Sequence, residues 1–284
     1  MSNIISIIIP CYNQGEYIQE AIDSVKAQTY AFWEIIIVDD GSNDEGTIKK
    51  LNDLKQEGYK IIATDNCGVS AARNKGIAAS VGEFILPLDA DDKISADYLQ
   101  EGINIMLAKS EVKLVYSDCE YFGIKNGLSP VPSFSMKGML YENLIFNSAI
   151  LRRAAVLETG GYDETFLTGW EDWEFWLRYI KREHEVFKLP ATYFFYRIKE
   201  VSRNNSLKDD RLALCEQQLF KKHVDLFLKT MQKPITTLKE LNFYKVEFKK
   251  IENYKEQLHQ SLSYKIGDVI LSPLKWIKKI INDR

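Results

Sequence analysis

Three polar clusters, two of them rich in aspartate, each follow a short apolar run in the first hundred residues. They occupy residues 10–13, 39–42 and 89–92 and contain five aspartates between them. In an open α/β sheet, ligands bind at the carboxyl ends of the strands, beside the point where the strand order reverses. Five carboxylates at that edge would repel one another unless a cation or a hydrogen-bonding ligand were present. Asp and Asn also start turns and cap helices, which explains one such cluster but not three on the same edge.

The spacing of Asp89 and Asp91 suits a divalent cation. Mg²⁺ and Mn²⁺ prefer oxygen ligands and typically take one or two carboxylates together with the phosphates of a substrate. An ion held there would neutralise a diphosphate leaving group as it departs. A lone DxD motif occurs often by chance, and its position after an apolar strand is what gives it weight. The sequence therefore predicts Mn²⁺ or Mg²⁺ as a cofactor.

Alternating periodicities predict the elements that position these clusters. Continuous apolar runs, typical of strands buried on both faces, occur at residues 4–9, 34–38, 60–64 and 83–88. Helical patterns occur at residues 16–29, 44–57 and 69–80. This alternation predicts an α/β fold with a mainly parallel, doubly wound sheet.

The pattern loosens after residue 114. We expect a strand at residues 112–116, a Ser- and Pro-rich loop at 128–139, and helices at 147–159 and 171–182. Beyond residue 205 the chain is rich in Lys, Glu, Leu and Phe with helical spacing. The sequence thus predicts an α/β domain at residues 1–205, a helical appendage at 206–263 and an amphipathic basic tail at 264–284.

Composition excludes several classes of protein. The 284-residue chain has 45% hydrophobic and 27% charged residues, as folded soluble domains do. A net charge of −3 argues against a nucleic-acid binder. Four scattered cysteines form neither a zinc motif nor a disulfide framework, which favours a reducing, cytoplasmic compartment. No apolar run reaches the ~20 residues of a spanning helix, and the N-terminal run, which ends at Pro10 without a basic segment before it, reads as a strand rather than a signal peptide.

Several motifs occur together in the order and spacing of one enzyme family. The stretches SIIIPCYNQGEYIQEAIDSVKAQTY, EIIIVDDGSND and CGVSAARNKGIAASVGEFILPLDADD resemble the nucleotide-binding half of family 2 glycosyltransferases with the GT-A fold. Further on, GGYDETFLTGWEDWEFWLRY resembles their acceptor-side motif, and the resemblance covers about residues 4–200. It implies an inverting, metal-dependent hexosyl- or N-acetylhexosaminyltransferase that uses a nucleotide-diphosphate sugar, most simply a UDP-sugar. The implied acceptor is a growing cell-surface glycan or lipid-linked saccharide, such as an O-antigen or capsule unit.

The resemblance also implies roles for individual residues in the donor site. Pro10, Tyr12 and Asp40 would border the nucleobase with Asn13 in the same loop, Asp39 would support the loop and ribose, Arg73 would approach the base or diphosphate, Asp89 would face the ribose or donor sugar, and Asp91 would bind the metal.

Glu171 and Asp172 are the implied catalytic pair, with Asp172 as the general base and Glu171 beside it. Displacement at an anomeric carbon requires the acceptor hydroxyl to lose its proton as it attacks, and a positioned carboxylate contributes ~10²–10⁴-fold to such a step. The apolar residues Trp173 and Trp176 on the same predicted helix could raise the pKa of Asp172. Acidic residues also stabilise a helix N-terminus, and the residues alone leave the two interpretations even.

One position departs from the family pattern. Family members often carry a histidine shortly after a YR dipeptide, where it can reach the metal or the diphosphate, whereas this chain has Lys199 after Tyr196 and Arg197. A protonated lysine cannot ligate a metal but can neutralise phosphate. Arg197, Lys199 and Arg203 therefore form either a phosphate-facing basic group or a solvated strand end.

The C-terminal residues 264–284 carry five Lys or Arg and two Asp, with isoleucines near one helical face and Trp276 among them. Such a segment can lie in a membrane surface, attracted by anionic lipid. The alternative is that it packs on the protein itself or on a second copy in a homo-oligomer. The pattern favours a cytoplasmic enzyme that is peripheral at the membrane.

Other functions would require different sequence features. Glycoside hydrolysis also uses paired carboxylates but gives no reason for a diphosphate-suited edge on a parallel sheet. The absence of GxGxxG and GxxxxGK[ST] motifs argues against a dinucleotide-dependent dehydrogenase and a nucleoside triphosphatase. A non-catalytic module that binds nucleotide sugars or acts as a scaffold remains the alternative.

Overall fold

A computed structural model describes residues 3–166, 169–200 and 209–230, together with ten positions between 235 and 257. By its internal contacts the chain divides into two compact units, Met1–His223 and Val224–Arg284. The predicted boundaries after residues 205 and 263 stay predictions, because residues 201–208 and 258–284 lie outside the described part of the chain. Arg203 and the basic tail fall in those ranges.

Four parallel strands form the first half of the sheet, in the order β3-β2-β1-β4. They are β1 (Ile5–Cys11), β2 (Trp33–Asp39), β3 (Lys60–Ala63) and β4 (Phe84–Pro87). The intervening helices are α1 (Ile18–Lys26), α2 (Glu45–Gln56) and α3 (Val69–Ala79). Because β1 is buried on both faces, its isoleucine-rich sequence, which only Ser6 interrupts, is the pattern expected for a central parallel strand.

The second half of the unit extends the same sheet with mixed pairing. Its elements are β5 (Lys93–Ile94), α4 (Tyr98–Ala108), β6 (Leu114–Gly123), β7 (Gly127–Ser129), β8 (Ile150–Arg152), α5 (Arg153–Thr159), α6 (Glu171–Tyr179), β9 (Val186–Ile198) and α7 (Asp209–Lys222). Within the described residues the sheet continues from β4 through β8, β6 and β9 to β5, and β7 pairs with β6. The second unit contains α8 (Val224–Thr230).

The prediction of one helix over residues 147–159 was wrong in its first half. Ile150 and Leu151 form a strand, β8, that pairs with β4 on one side and β6 on the other, and α5 begins only at Arg153. Both apolar side chains are fully buried there. Insertion between two strands therefore outweighs the local helical spacing, as tertiary packing often does.

Gly76 allows α3 to lie directly against the sheet. A Cβ atom at this position would come within 2.3 Å of Cγ2 of Ile8 on β1, far closer than two carbon atoms can approach. Ala71 and Ala72 on the same helix are also buried. The small residues of α3 thus bring Arg73 to the edge where the parallel strands end.

Among the described residues, no helix is long and apolar enough to span a membrane.

Candidate active site

A cavity of about 730 Å³ opens at the carboxyl ends of β1, β2 and β4 and is closed on its other side by the start of α6 and the end of β9. This volume lies within the range of small-molecule sites in proteins. Eight of the ten residues predicted for the site line it: Pro10, Tyr12, Asp40, Arg73, Asp89, Asp91, Glu171 and Asp172.

Asn13 and Asp39 are not among the lining residues but fix the loops that are. The side-chain amide of Asn13 donates to Oδ1 of Asn43 over 2.7 Å, and its oxygen accepts from the backbone N–H of Asn43 over 2.9 Å. Asp39 accepts from the backbone N–H of Ser42 over 2.9 Å. Asn13 has φ of 52°, a left-handed conformation that asparagine tolerates better than most residues. These bonds hold the loop after β1 against the loop after β2.

Near the ends of β1 and β2 the cavity is lined by an exposed ring and a buried carboxylate. Tyr12 is 41% exposed and lines the cavity. Asp40 is buried, and its two oxygens accept from the backbone N–H groups of Cys67 and Gly68, each over 3.0 Å. Asp40 therefore positions the start of α3 as well as lining the cavity.

Arg73 connects two parts of the site that are distant in the sequence. Its guanidinium donates to Oδ1 of Asp89 over 2.7 Å and to Oε1 of Glu171 over 3.0 Å, and only 2% of the side chain is exposed. The carbon of the guanidinium lies 5.2 Å from the ring centre of Tyr162. Burial alone would lower the pKa of Arg73, but the charges of Asp89 and Glu171 raise it, so the side chain stays cationic. Its two charged bonds therefore tie the loop after β4 to the start of α6, both of which line the cavity.

Asp172 has the properties of a general base. It is partly buried at the start of α6, where Oδ2 accepts from the side-chain amide of Asn143 over 3.0 Å. Burial and the adjacent charge of Glu171 raise the pKa of Asp172 to about 6. A carboxylate with that pKa is ionised at neutral pH yet basic enough to accept a proton from a hydroxyl group.

Aromatic side chains hold α6 in place. Nε1 of Trp173 donates to the carbonyl of Met139 over 2.6 Å, and Nε1 of Trp176 donates to the carbonyl of Ile145 over 3.1 Å. Both carbonyls belong to the segment between β7 and β8. These bonds place the start of the helix beside Asn143, which lines the cavity.

The loop after β4 is fixed by the end of β9. Nζ of Lys199 lies 2.5 Å from Oδ2 of Asp91. The backbone N–H of Arg197 donates to Oδ1 of Asp92, and its side-chain Nε donates to the carbonyl of Asp91, each over 2.9 Å. Arg197 and Lys199 thus face the acidic loop, and neither side chain is a solvated strand end.

The side chains around Asp91 do not fit a protein-held divalent ion. In the described residues no group of three or more His, Cys, Asp or Glu side chains could hold a metal. The carboxylate of Asp91 faces an ammonium, and that of Asp89 faces a guanidinium. Mn²⁺ or Mg²⁺ on Asp91 stays a prediction from the sequence.

A cluster behind the site fastens α7 to α6. Glu174 is fully buried and accepts from Nε and Nη2 of Arg178, each over 2.7 Å. Nζ of Lys222 and Nε2 of His223 approach the same carboxylate to 2.9 and 3.1 Å. Burial alone would raise the pKa of Glu174, but its partners lower it to about 2. These contacts therefore help to fix α6, the helix that carries Asp172.

Sequence reasoning did not identify Asn143 or Gln14 as site residues. Both line the cavity, and Oε1 of Gln14 is buried with no hydrogen-bond partner among the described residues. Asn143 lies in an irregular segment without periodicity, so no sequence signal marked it. Gln14 directly follows the 10–13 cluster, which is the signal that could have included it.

Two family models match the sequence. The model of glycosyl transferase family 2 matches residues 6–157, more than half of the chain, and that of glycosyltransferase like family 2 matches residues 133–259.

Two relatives of known family are similar to the chain. It is 33% identical over 187 residues to WfgD of Escherichia coli, a UDP-Glc:alpha-D-GlcNAc-diphosphoundecaprenol beta-1,3-glucosyltransferase, in a match that covers 63% of this chain and 70% of WfgD. It is 25% identical over 225 residues to TuaG of Bacillus subtilis (strain 168), a putative teichuronic acid biosynthesis glycosyltransferase, and this match covers 76% of the chain and 86% of TuaG.

The fold is similar to that of a solved mannosyltransferase, PcManGT of Pyrobaculum calidifontis, in complex with GDP-Man and Mn²⁺. The TM-score is 0.63 at 15% sequence identity, and the match covers 95% of this chain and 84% of that one. This likeness confirms the predicted GT-A fold class.

Proposed function

The chain belongs to glycosyl transferase family 2, and from that premise we propose that it transfers a sugar from a UDP-sugar to a hydroxyl of a growing cell-surface glycan. The observation that supports this most is that two groups suited to the reaction line the same cavity. It contains the exposed ring of Tyr12 at the carboxyl edge of the sheet and the carboxylate of Asp172 at the start of α6. The ring of Tyr12 suits the base of a nucleotide, and the carboxylate of Asp172 suits the proton of an acceptor hydroxyl.

The nucleotide end of the donor would lie against Tyr12. An exposed aromatic ring provides a stacking surface for a base, and Pro10 and Asp40 border the same part of the cavity. The diphosphate would then extend toward the loop at residues 89–92, where Lys199 supplies positive charge. Asp89, held by Arg73, would face the ribose or the donor sugar.

Transfer would proceed as a single displacement with inversion at the anomeric carbon. The acceptor oxygen forms a bond to that carbon while its proton passes to the carboxylate of Asp172. The bond between the carbon and the β-phosphate oxygen breaks, and its electron pair leaves with the nucleoside diphosphate. The chain's contribution is to hold the base, the sugar and the diphosphate in line.

The names of two relatives support a proposal for the class of donor and acceptor. WfgD is named for UDP-Glc as donor and a diphosphoundecaprenol-linked acceptor, and TuaG for teichuronic acid biosynthesis. We therefore propose a hexose or N-acetylhexosamine as the transferred group and a lipid-linked saccharide as the acceptor. Such an acceptor lies at a membrane, where the predicted amphipathic segment 264–284 would bring the enzyme from the cytoplasmic side.

The predicted metal has an analogue in the Mn²⁺ of PcManGT. Around Asp91 the described residues offer no group of three or more metal-binding side chains, and Asp91 itself is paired with Lys199. No step of the proposed transfer passes through a metal ion.

The test is a transfer assay with UDP-glucose, UDP-N-acetylglucosamine and GDP-mannose, each labelled in the sugar, and undecaprenyl-diphosphate saccharides as acceptors. We expect transfer from a UDP-sugar, a loss of at least 10²-fold in Asp172→Asn, and UDP binding close to that of the unchanged protein. Asp97→Asn is the matched control. Asp97 lies at the start of α4, as Asp172 lies at the start of α6, but Asp97 is exposed and does not line the cavity.

Two outcomes would contradict the proposal. Full transfer by Asp172→Asn would remove Asp172 from the reaction. Binding of UDP without turnover of any donor by the unchanged protein would favour a non-catalytic nucleotide-sugar-binding module.

A further inference from the structure

In the acidic loop after β4, the carboxylate of Asp91 is already paired with a positive charge, the ammonium of Lys199. Its Nζ lies 2.5 Å from Oδ2 of Asp91, and both side chains line the cavity. The two side chains are only 18% and 16% exposed, and Nζ also lies 4.9 Å from the ring centre of Tyr17. Lys199 is therefore a held cation rather than a mobile surface lysine.

The backbone around this pair is fixed as well. Arg197, two residues before Lys199, donates from Nε to the carbonyl of Asp91 and from its backbone N–H to Oδ1 of Asp92. The guanidinium of Arg197 lies 4.3 Å from the ring centre of Phe122 and its Nη2 lies 2.8 Å from Oε1 of Glu20. The end of β9 and the acidic loop consequently hold Lys199 and Asp91 next to each other.

A divalent ion on Asp91 would have to displace this ammonium or lie beside it. Two cations on one carboxylate repel each other, and the neighbouring carboxylates offer no replacement ligand. Asp89 is paired with Arg73, and Asp92 is 2% exposed and bonded to Arg197. Mg²⁺ and Mn²⁺ typically take one or two protein carboxylates together with the phosphates of a substrate, and the carboxylate that this loop would offer, that of Asp91, is already paired with the ammonium of Lys199.

We infer that Lys199 supplies the positive charge that neutralises the departing diphosphate, and that this chain transfers sugar without a divalent metal. This inference rests on the proposed function. As the bond between the anomeric carbon and the β-phosphate oxygen breaks, negative charge grows on that oxygen, and a fixed ammonium stabilises it as a metal ion would. Lys199 takes no part in the proton transfer, and the acceptor proton goes to Asp172.

The test is a calorimetric titration of UDP into the full chain in EDTA, in Mn²⁺ and in Mg²⁺. We expect the same affinity within about twofold in all three conditions. Lys199→Ala should weaken binding at least tenfold in EDTA. Lys188→Ala is the matched control, because Lys188 lies on β9, the strand that precedes Lys199, pairs with Asp118 over 2.7 Å at 24% exposure, and does not line the cavity.

A second variant tests the position of the cation directly. Lys199→His removes the fixed charge at neutral pH and places an imidazole beside Asp91, a ligand pair that suits Mn²⁺. We expect UDP binding by this variant to be at least tenfold tighter in Mn²⁺ than in EDTA. Thermal unfolding in the absence of nucleotide establishes that each variant is folded.

Loss of UDP binding by the unchanged chain in EDTA, with recovery in Mn²⁺, would overturn the inference and leave the proposed function intact. Unchanged binding by Lys199→Ala would also overturn it. Failure of UDP, GDP and dTDP to bind in every condition would overturn the proposed function itself. A titration of Mn²⁺ without nucleotide distinguishes failure of the inference from failure of the proposed function. Tight binding of Mn²⁺ to the unchanged chain would contradict a site occupied by Lys199, whether or not UDP binds.

Discussion

Arg73 and Glu171 are 98 residues apart in the sequence, and Nη1 of the arginine donates to Oε1 of the glutamate over 3.0 Å inside the protein. The same guanidinium holds Asp89. One buried cation therefore sets the distance between the strand edge that would bind the donor and the helix that carries Asp172. Misplacement of reacting groups by about 1 Å can cost on the order of 10²-fold in rate, so this bridge matters for catalysis as well as for folding.

Arg73→Lys is predicted to lower both the stability of the protein and the rate of transfer. A lysine ammonium lacks the planar fork that reaches two carboxylates at once, so one buried carboxylate would lose its partner. We expect a loss of about 3 kcal/mol or more in the free energy of unfolding, measured by urea denaturation, and a lower rate of transfer. Arg153→Lys is the control, since Arg153 makes one bond to Oγ of Ser80, and should lose less than about 1 kcal/mol.

The rate of transfer should fall in acid because Asp172 must be ionised to accept a proton. Burial and the charge of Glu171 raise its pKa to about 6, so kcat/KM is expected to decline tenfold per pH unit below about pH 6. The hydrogen bond from Asn143 acts in the opposite direction and lowers this pKa.

Asn143→Ala should therefore move the acid limb of the profile to higher pH, as measured by transfer rates between pH 5 and 8. The exposed Asn104 on α4 provides the control variant Asn104→Ala, which should leave the profile in place. An acid limb that stays near the same pH in Asn143→Ala would mean that another group controls it.

Glu174 is predicted to stabilise the attachment of α7 to α6. Its pKa is lowered to about 2 from an ordinary value of 4.5. The stability it provides is therefore complete above pH 4.5 and is lost as the pH falls toward 2. Glu174→Gln should lower the free energy of unfolding at pH 7 by about 3 kcal/mol, whereas Glu158→Gln, at an exposed position on α5, should change it by less than about 0.5 kcal/mol.

The sequence prediction for residues 264–284 can be tested without structural information. A chain truncated after Ser263 should lose flotation with liposomes that contain anionic lipid, because the basic and apolar residues that favour the membrane surface are removed. Equal flotation of the full and truncated chains would contradict the predicted membrane contact.

Local signals were sufficient for the first half of the sheet. The isoleucine-rich runs of β1 and β2 reflect the burial of both faces of these strands. The clusters that follow β1, β2 and β4 meet at one edge because these strands are parallel. Tyr12, Asp40 and Asp89 could thus be placed together from their positions after strands.

Long-range pairing was the part that no local pattern predicted. The insertion of Ile150 and Leu151 between β4 and β6 depends on partners more than 30 residues away. The bridge from Arg73 to Glu171 and the contact of Lys199 with Asp91 are likewise made by the fold. Lys199 stood out in the sequence only as a departure from a histidine, and its carboxylate partner became visible in three dimensions.

The most direct test of the central claim is a calorimetric titration of UDP into the unchanged chain and into Tyr12→Ala. Tyr141→Ala is the control, because Tyr141 is 44% exposed, close to the 41% of Tyr12, and does not line the cavity. If the cavity binds a nucleotide sugar, UDP binds the unchanged chain and Tyr141→Ala equally and binds Tyr12→Ala at least tenfold more weakly, as the loss of a stacked base requires. Equal binding by Tyr12→Ala, or no binding by any of the three, would contradict the claim.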